Sequence, residues 1–145
     1  MQALEAVDET RLAQFLERAV QDMGAAVHAV LVVIGDRLGL FRAMAGAGPL
    51  TSAQVAERTG VDERYVREWL NANAAAGWID YDAATGQYRM SPEQSFALLG
   101  MDLPGAYQIV ASLFRDEGRI SEAMRCGQGF AWHEHDSGLF EGTER

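Results

Sequence analysis

Two imidazoles and two carboxylates fall within four consecutive residues, His133-Glu134-His135-Asp136, next to Trp132 in a glycine-rich stretch. His-x-His can ligate zinc, but a structural zinc site wants four protein ligands in closely spaced pairs. The only other histidine, His28, lies far upstream in an apolar run, and Cys126 is the single cysteine. No metal site is therefore expected. An imidazole titrates near neutral pH, so His133 and His135 are the candidates for acid/base work in a complete enzyme. No other catalytic residue is assigned. Cys126 has no base near it in sequence, and a lone cysteine cannot form an internal disulfide.

The stretch LTSAQVAERTGVDERYVREWL, Leu50 to Leu70, has the layout of two short helices joined by a three-residue turn. Gene regulators insert such a pair into the major groove, and here Arg64, Arg67 and Asn71 would be the residues to read bases. Their surroundings argue otherwise. Residues 51 to 90 carry four arginines (58, 64, 67 and 89) against six acids (57, 62, 63, 68, 80 and 82). The whole chain has 12 basic residues, all arginine, against 21 acids, for a net charge of -9. Affinity for a polyphosphate comes mainly from counterion release by basic side chains, and this surface offers few. Nucleic acid is not the expected partner, and DNA-binding regulation stands as the alternative function.

The elements that must position these residues can be read from periodicity and caps. Apolar residues at Leu12, Phe15, Leu16, Ala19, Val20 and Met23 predict an amphipathic helix over Arg11 to Met23, capped by Asp8 or Thr10. Gly24 is expected to interrupt it before a second helix, Ala25 to Ala45, whose AVLVVI segment is apolar all round. In a chain of 145 residues, one face of that helix is expected against the chain's own core and the other against a second copy. The apolar run AAVHAVLVVIG is too short to span a bilayer, and the N-terminal MQALEAVDETR carries acids where a leader would be basic, so a cytoplasmic protein without membrane contact is expected.

Thr51 and Gln54 form a capping box for a helix from Ser52 to Arg58, and Thr59-Gly60-Val61 turns the chain. Asp62 caps the next helix, with Val61 and Val66 at the spacing of a hydrophobic staple and Tyr65 or Val66, Trp69, Leu70 and Ala74 facing inward until Gly77. Two short strands follow, Trp78 to Tyr81 and Gln87 to Met90. Helix, turn, helix and hairpin make a winged helix-turn-helix, so the fold class expected is mainly α with a β-hairpin wing and additional N- and C-terminal helices. Ser91, Pro92 and Gln94 open a helix that should stop at Gly100. After a break at Pro104-Gly105, helices are expected over Ala106 to Arg115 and Arg119 to Arg125, and the remaining tail as loop or partner-bound segment. The segments of this single domain are 1–49, 50–90, 91–126 and 127–145. Trp69 and Trp78 are expected as core anchors, Trp132 as the tryptophan that meets a ligand or partner, Met101, Phe114 and Met124 as packing with the lining of a cavity as the alternative, and His28 as a hydrogen-bonded core or interface residue.

The run IGDRLGLFRAMAGAGPLTSAQVAERTGVDERYVREWLNANAAAGWIDYD, Ile34 to Asp82, resembles the N-terminal winged-helix dimerisation region of class I S-adenosylmethionine-dependent methyltransferases of the small-molecule O-methyltransferase type. SPEQSFALLG, PGAYQIVASLF and GFAWHEHDSGLFEGTER are similar to the linker that precedes the catalytic domain in one bacterial branch of these enzymes. The resemblance implies a homodimer interlocked through the N-terminal helices. It also implies that the segment after the wing lies over the acceptor pocket, with Trp132, His133, His135 and Phe140 at its border and one histidine steering or deprotonating an acceptor hydroxyl. The glycine-rich turn after a first strand that would bind S-adenosylmethionine is missing, so no cofactor-binding residue is expected here and the cofactor would belong to a downstream catalytic domain. The function expected is a non-catalytic dimerisation and substrate-capping module; a small acid/base enzyme on the same scaffold is the weaker alternative.

Overall fold

The computed structural model describes residues 7–145; residues 1–6, on which the expectation about a leader partly rests, lie outside them. The chain order is α1 (Glu9–Arg37), α2 (Leu40–Met44), α3 (Ser52–Thr59), α4 (Glu63–Ala75), β1 (Asp80–Asp82), β2 (Gln87–Arg89) and α5 (Pro92–Ser95). A π-helical turn (Phe96–Gly100), α6 (Leu103–Cys126), a 3-10 turn (Trp132–Glu134) and α7 (Ser137–Glu144) follow. The mainly helical winged-helix class is the one expected.

Asp8 caps α1, its carboxylate accepting from the Thr10 and Arg11 backbone N–H groups at 2.9 and 3.1 Å. Contrary to expectation, Gly24 does not interrupt the helix. One glycine in a helix costs about 1 kcal/mol, less than starting a second helix nucleus, so α1 continues to Arg37. It stops there rather than at Ala45 because Gly39 takes a left-handed φ of 69° and redirects the chain into α2, whose Leu40, Phe41 and Met44 are buried. As a 29-residue helix, α1 is long and apolar enough by length and composition to cross a membrane, with a best-window mean hydropathy of 1.3. Its C-terminal third is nevertheless committed to the core through Ala29, Val32 and Gly35.

The core lies where α1, α2, α3 and α4 meet the hairpin, around Val32, Phe41, Val55, Val66, Leu70 and Ile79. Trp69 ties it together. Its ring meets Phe41 edge-on at 5.0 Å, and its indole N–H donates to the Leu31 carbonyl at 2.8 Å. Gly35 makes this possible, since a Cβ there would press into Trp69 and come within 2.7 Å of Phe41 Cε2. The capping box forms as expected, Thr51 N–H donating to Gln54 Oε1 at 2.9 Å, and Asp62 caps α4. Between the alternatives at the start of α4, Val66 is buried and Tyr65 is 71% exposed. Asn73, rather than Ala74, is fully buried, its amide donating to the Trp69 carbonyl at 2.8 Å.

The wing pairs Asp80 with Arg89, Tyr81 with Tyr88 and Asp82 with Gln87, antiparallel, while Leu50 and Tyr88 exchange two backbone hydrogen bonds at 2.8 Å. Its first strand begins later than Trp78 because the Trp78 N–H is used to close α4, donating to the Asn73 carbonyl at 2.9 Å.

Two further corrections concern the C-terminal half. Pro104-Gly105 is no break: Pro104 sits in the first turn of α6, where its missing N–H costs nothing, and the helix runs on through Gly118 to Cys126. The tail is no loop either. Residues 137–144 form α7, capped by Asp136, and it approaches α6 through glycines: a Cβ on Gly142 would stand 2.6 Å from the Gly105 carbonyl and 2.8 Å from Ile109 Cγ1. The glycines that suggested irregular chain are those that let two helices touch.

Candidate functional site

α6 places Arg115, Asp116 and Arg119 on the side where the Phe130–Phe140 segment returns. Asp116, 2% exposed, holds that segment down. Its carboxylate meets His135 Nδ1 at 2.9 Å and accepts from the Asp136 backbone N–H at 3.0 Å. Arg115 donates to the Asp136 carboxylate at 2.5 Å, and Arg119 donates to the Glu134 carbonyl while its guanidinium lies 4.9 Å above the Phe130 ring. The Asp136 N–H, with the His135 hydrogen bond adding to it, keeps the Asp116 carboxyl below the usual carboxylate range against the opposing effect of desolvation. Asp136 is lowered chiefly by its hydrogen bond from Arg115.

The structure therefore separates the two candidate histidines. His135 is oriented by a buried carboxylate, with Phe130 at 4.3 Å and Trp132 at 6.0 Å between ring centroids. His133 is exposed on the 3-10 turn. Trp132, 60% exposed, meets Phe140 edge-on at 5.3 Å, so Trp132, His135 and Phe140 are brought together and His133 is not. The four residues of the His-Glu-His-Asp run do not converge, since Glu134 turns back to accept from the Ala131 N–H at 2.7 Å and Asp136 faces Arg115.

On the winged-helix face, Arg67 pairs with Glu63 at 3.5 Å, Arg89 with Asp80 at 3.2 Å, and Arg58 donates to the Ala43 carbonyl at 2.9 Å. Asn71 accepts from the Tyr88 hydroxyl at 2.6 Å. Of the three residues proposed to read bases, Arg67 is held by Glu63, Asn71 is engaged through its amide oxygen alone, and Arg64 has no side-chain partner among the described residues.

Several residues escaped the sequence reading. Asp116 fell in the gap between two expected helices; had α6 been carried through Gly118, Ser112 and Asp116 would have stood on one face and Arg115 and Arg119 one turn apart. Arg145 gave no signal at all, yet it grips Asp102 through two hydrogen bonds of 2.6 and 2.7 Å, and Asp36 at 2.7 Å. Asp102, at φ 52°, is the one described non-glycine residue with a left-handed backbone. Three expectations need correction. Phe114, Met101 and Met124 are exposed rather than packed, on outer surfaces that the core does not reach, and Phe114 borders an apolar groove of about 370 Å³ with Val110, Leu113 and Ile120. Trp78 is only partly buried. His28 Nε2 is buried with no hydrogen-bond partner, and burial lowers the imidazole pKa.

Binding S-adenosylmethionine in a Rossmann-like sheet needs a glycine-rich turn between a parallel strand and a helix. The sheet among the described residues is a two-stranded antiparallel hairpin, so the residues present do not fit that cofactor.

Comparison with known proteins agrees with the geometry. No curated protein matches the chain. Eleven chains of solved structures match it. One is the S-adenosylmethionine-dependent methyltransferase SibL in its apo form, with a TM-score of 0.63 and 20% sequence identity over 89% of this chain. This chain spans 43% of the length of that one, and the likeness is one of fold. The profile of the Rv2258c-like winged HTH domain matches residues 26–99, from the middle of α1 to the π-helical turn. That match covers just over half of the chain, which belongs to the Rv2258c-like winged HTH domain family.

Proposed function

We propose that this chain is a dimerisation and substrate-capping module of a cytoplasmic, small-molecule methyltransferase, with the S-adenosylmethionine site on a separate catalytic domain. The observation that carries the reading is α1. Leu16, Val20, Met23, Val27, Val30 and Ile34, spaced alternately by four and three residues, are all exposed along one face, while Ala29, Val32 and Gly35 are buried on another. That alternation is the seam of a two-helix coil, in which each apolar side chain enters a gap on a facing helix. The seam is about 27 Å long at 1.5 Å per residue. A monomer leaves it in water, and a second copy supplies an identical surface to close it. The SibL fold likeness and the acidic recognition helix, with Arg67 held by Glu63, support a role other than reading DNA.

Within this reading, Trp132, His135 and Phe140 border the acceptor, and His135 is the histidine placed to steer a hydroxyl. A carboxylate on Nδ1 holds the imidazole in one orientation and leaves Nε2 for the acceptor. The test is the double substitution Leu16→Asp, Val20→Asp on the exposed seam. The expected result is a folded monomer with unchanged helical circular dichroism; a double variant that sediments with the same mass as the unsubstituted chain would overturn the reading.

A further inference from the structure

Trp78 stands between two cavities that the proposed function does not use. One, of about 260 Å³, is bounded by Gly24, Ala25, His28 and Tyr107. The other, of about 250 Å³, is bounded by Gly77, Gln94, Ala97, Leu98 and Leu103, and Ala76 and Trp78 line both. Both lie between the end of α4 and the start of α6, the first closed by α1 and the second by the π-helical turn, away from the Asp116–His135 clasp.

Three features of this cleft point to a ligand. The first is its charge. In a chain whose residues are 23% charged, neither cavity has a charged side chain in its lining. An ionic ligand would lose its hydration without gaining a counter-charge, so an uncharged one is favoured. The second is aromatic geometry. The His28 ring lies 4.8 Å from Trp78, tilted by 43°, and Tyr107 meets the indole edge-on at 5.4 Å, while small residues on either side leave part of the half-buried indole open to the cleft. Flat rings pack against such a surface in offset or edge-to-face contact. The third is polar. His28 Nε2 is buried without a partner, and burial keeps that imidazole neutral at neutral pH. Nε2 is closed to a water-sized contact, so the ring must turn toward the cleft for a ligand hydroxyl or amide to restore the stability that an unpaired buried nitrogen costs. The wall carrying Ala97 and Leu98 is itself a π-helical turn, a deviation frequent at functional sites.

We propose that the cleft around Trp78 binds an uncharged planar aromatic molecule of one or two fused rings, stacked on the indole and hydrogen-bonded to His28 Nε2. The volumes fix the size: each cavity is smaller than the usual drug-sized pocket and takes a ring system rather than an extended chain. The proposal stands apart from dimerisation and from the Trp132 border.

The test uses the 15N-labelled chain and its three indole N–H signals, from Trp69, Trp78 and Trp132, assigned by Trp→Phe substitution. 2-Naphthol is titrated in, with 2-naphthalenesulfonate as its charged counterpart. The expected result is a saturable shift of the Trp78 signal with a dissociation constant of roughly 0.1–1 mM, as suits about ten heavy atoms. The sulfonate should bind at least about 10-fold more weakly, for lack of a counter-charge. His28→Phe, which keeps a ring but removes the hydrogen bond, should weaken 2-naphthol about 5- to 10-fold. Ala76→Leu, at an exposed residue that lines both cavities, should abolish the shift in a chain whose spectrum stays dispersed, and Ala97→Leu serves if that variant does not fold. No saturable Trp78 shift in the dispersed spectrum would overturn the proposal, as would a shift confined to Trp132. A Trp78 signal that moves with protein concentration and ignores 2-naphthol would also overturn it, by assigning the cleft to a second copy.

Discussion

Replacing Gly35 by alanine adds one methyl group at the point where α1 rests on the winged helix. The added carbon would stand 2.7 Å from Phe41 Cε2 and press against Trp69. Neither ring can yield easily, because Trp69 is pinned by its hydrogen bond to the Leu31 carbonyl and by its edge-on contact with Phe41. Overpacking of this kind costs about 1–3 kcal/mol. Contacts this short place the cost in the upper half of that range, about 2–3 kcal/mol, and alanine regains about 1 kcal/mol of helix propensity over glycine, so the net loss should be about 1–2 kcal/mol. With a urea m-value of about 2 kcal/mol/M for a chain of this size, the unfolding midpoint should fall by about 0.5–1 M. Gly24→Ala, in the same helix, is the control. No atom lies within 4 Å of a Cβ there, so only the propensity gain acts and the midpoint should rise. Urea titration followed by circular dichroism at 222 nm reads both. A Gly35→Ala chain as stable as the parent, or a Gly24→Ala chain destabilised as much as Gly35→Ala, would refute the seating of α1 described above.

Three other outcomes are expected. Asp116 and Asp136 have carboxyl groups held below their ordinary range, so the stabilisation they give to α7 is fully present above that range and is lost as pH falls through their depressed values. Hydrogen exchange of α7 should stay slow down to about pH 4 and accelerate below it, and Asp116→Ala should give fast exchange at pH 7; slow exchange in that variant would contradict the clasp. Gly142→Val should drive α7 off Gly105 and Ile109 and speed its exchange by at least about 10-fold, while α3 and α4 keep their protection. Titrated with a mixed-sequence duplex at low salt, the chain should show no salt-sensitive binding at about 10 µM. Tight binding that is lost in Arg64→Glu, Arg67→Glu would instead favour the regulator.

Local signals were legible in the sequence and long-range ones were not. Thr51 with Gln54, Ser91 with Gln94, and Asp62 each cap the helix they announced, because a cap is settled within a few residues of chain. Gly24 and the Pro104-Gly105 pair were misread for the opposite reason. Whether a glycine ends a helix depends on the residues beyond it and on what packs there, and α1 and α6 both run through theirs. The site divides the same way. Trp132, His133 and His135 stood out by residue type and Phe140 through the family resemblance alone, but Asp116 and Arg145 act on partners brought near only by folding, Asp116 on His135 and Arg145 on Asp36 and Asp102. The apolar character of α1 was plain in the sequence; its division into a buried face and an exposed seam needed the packing of Trp69 against Gly35.

The most direct measurement is the mass of the chain at sedimentation equilibrium across low micromolar concentrations. A second copy closing the α1 seam predicts twice the chain mass of 15.9 kDa throughout that range. A single species at 15.9 kDa would mean that the seam stays open in water, and the dimerisation module would have to be abandoned.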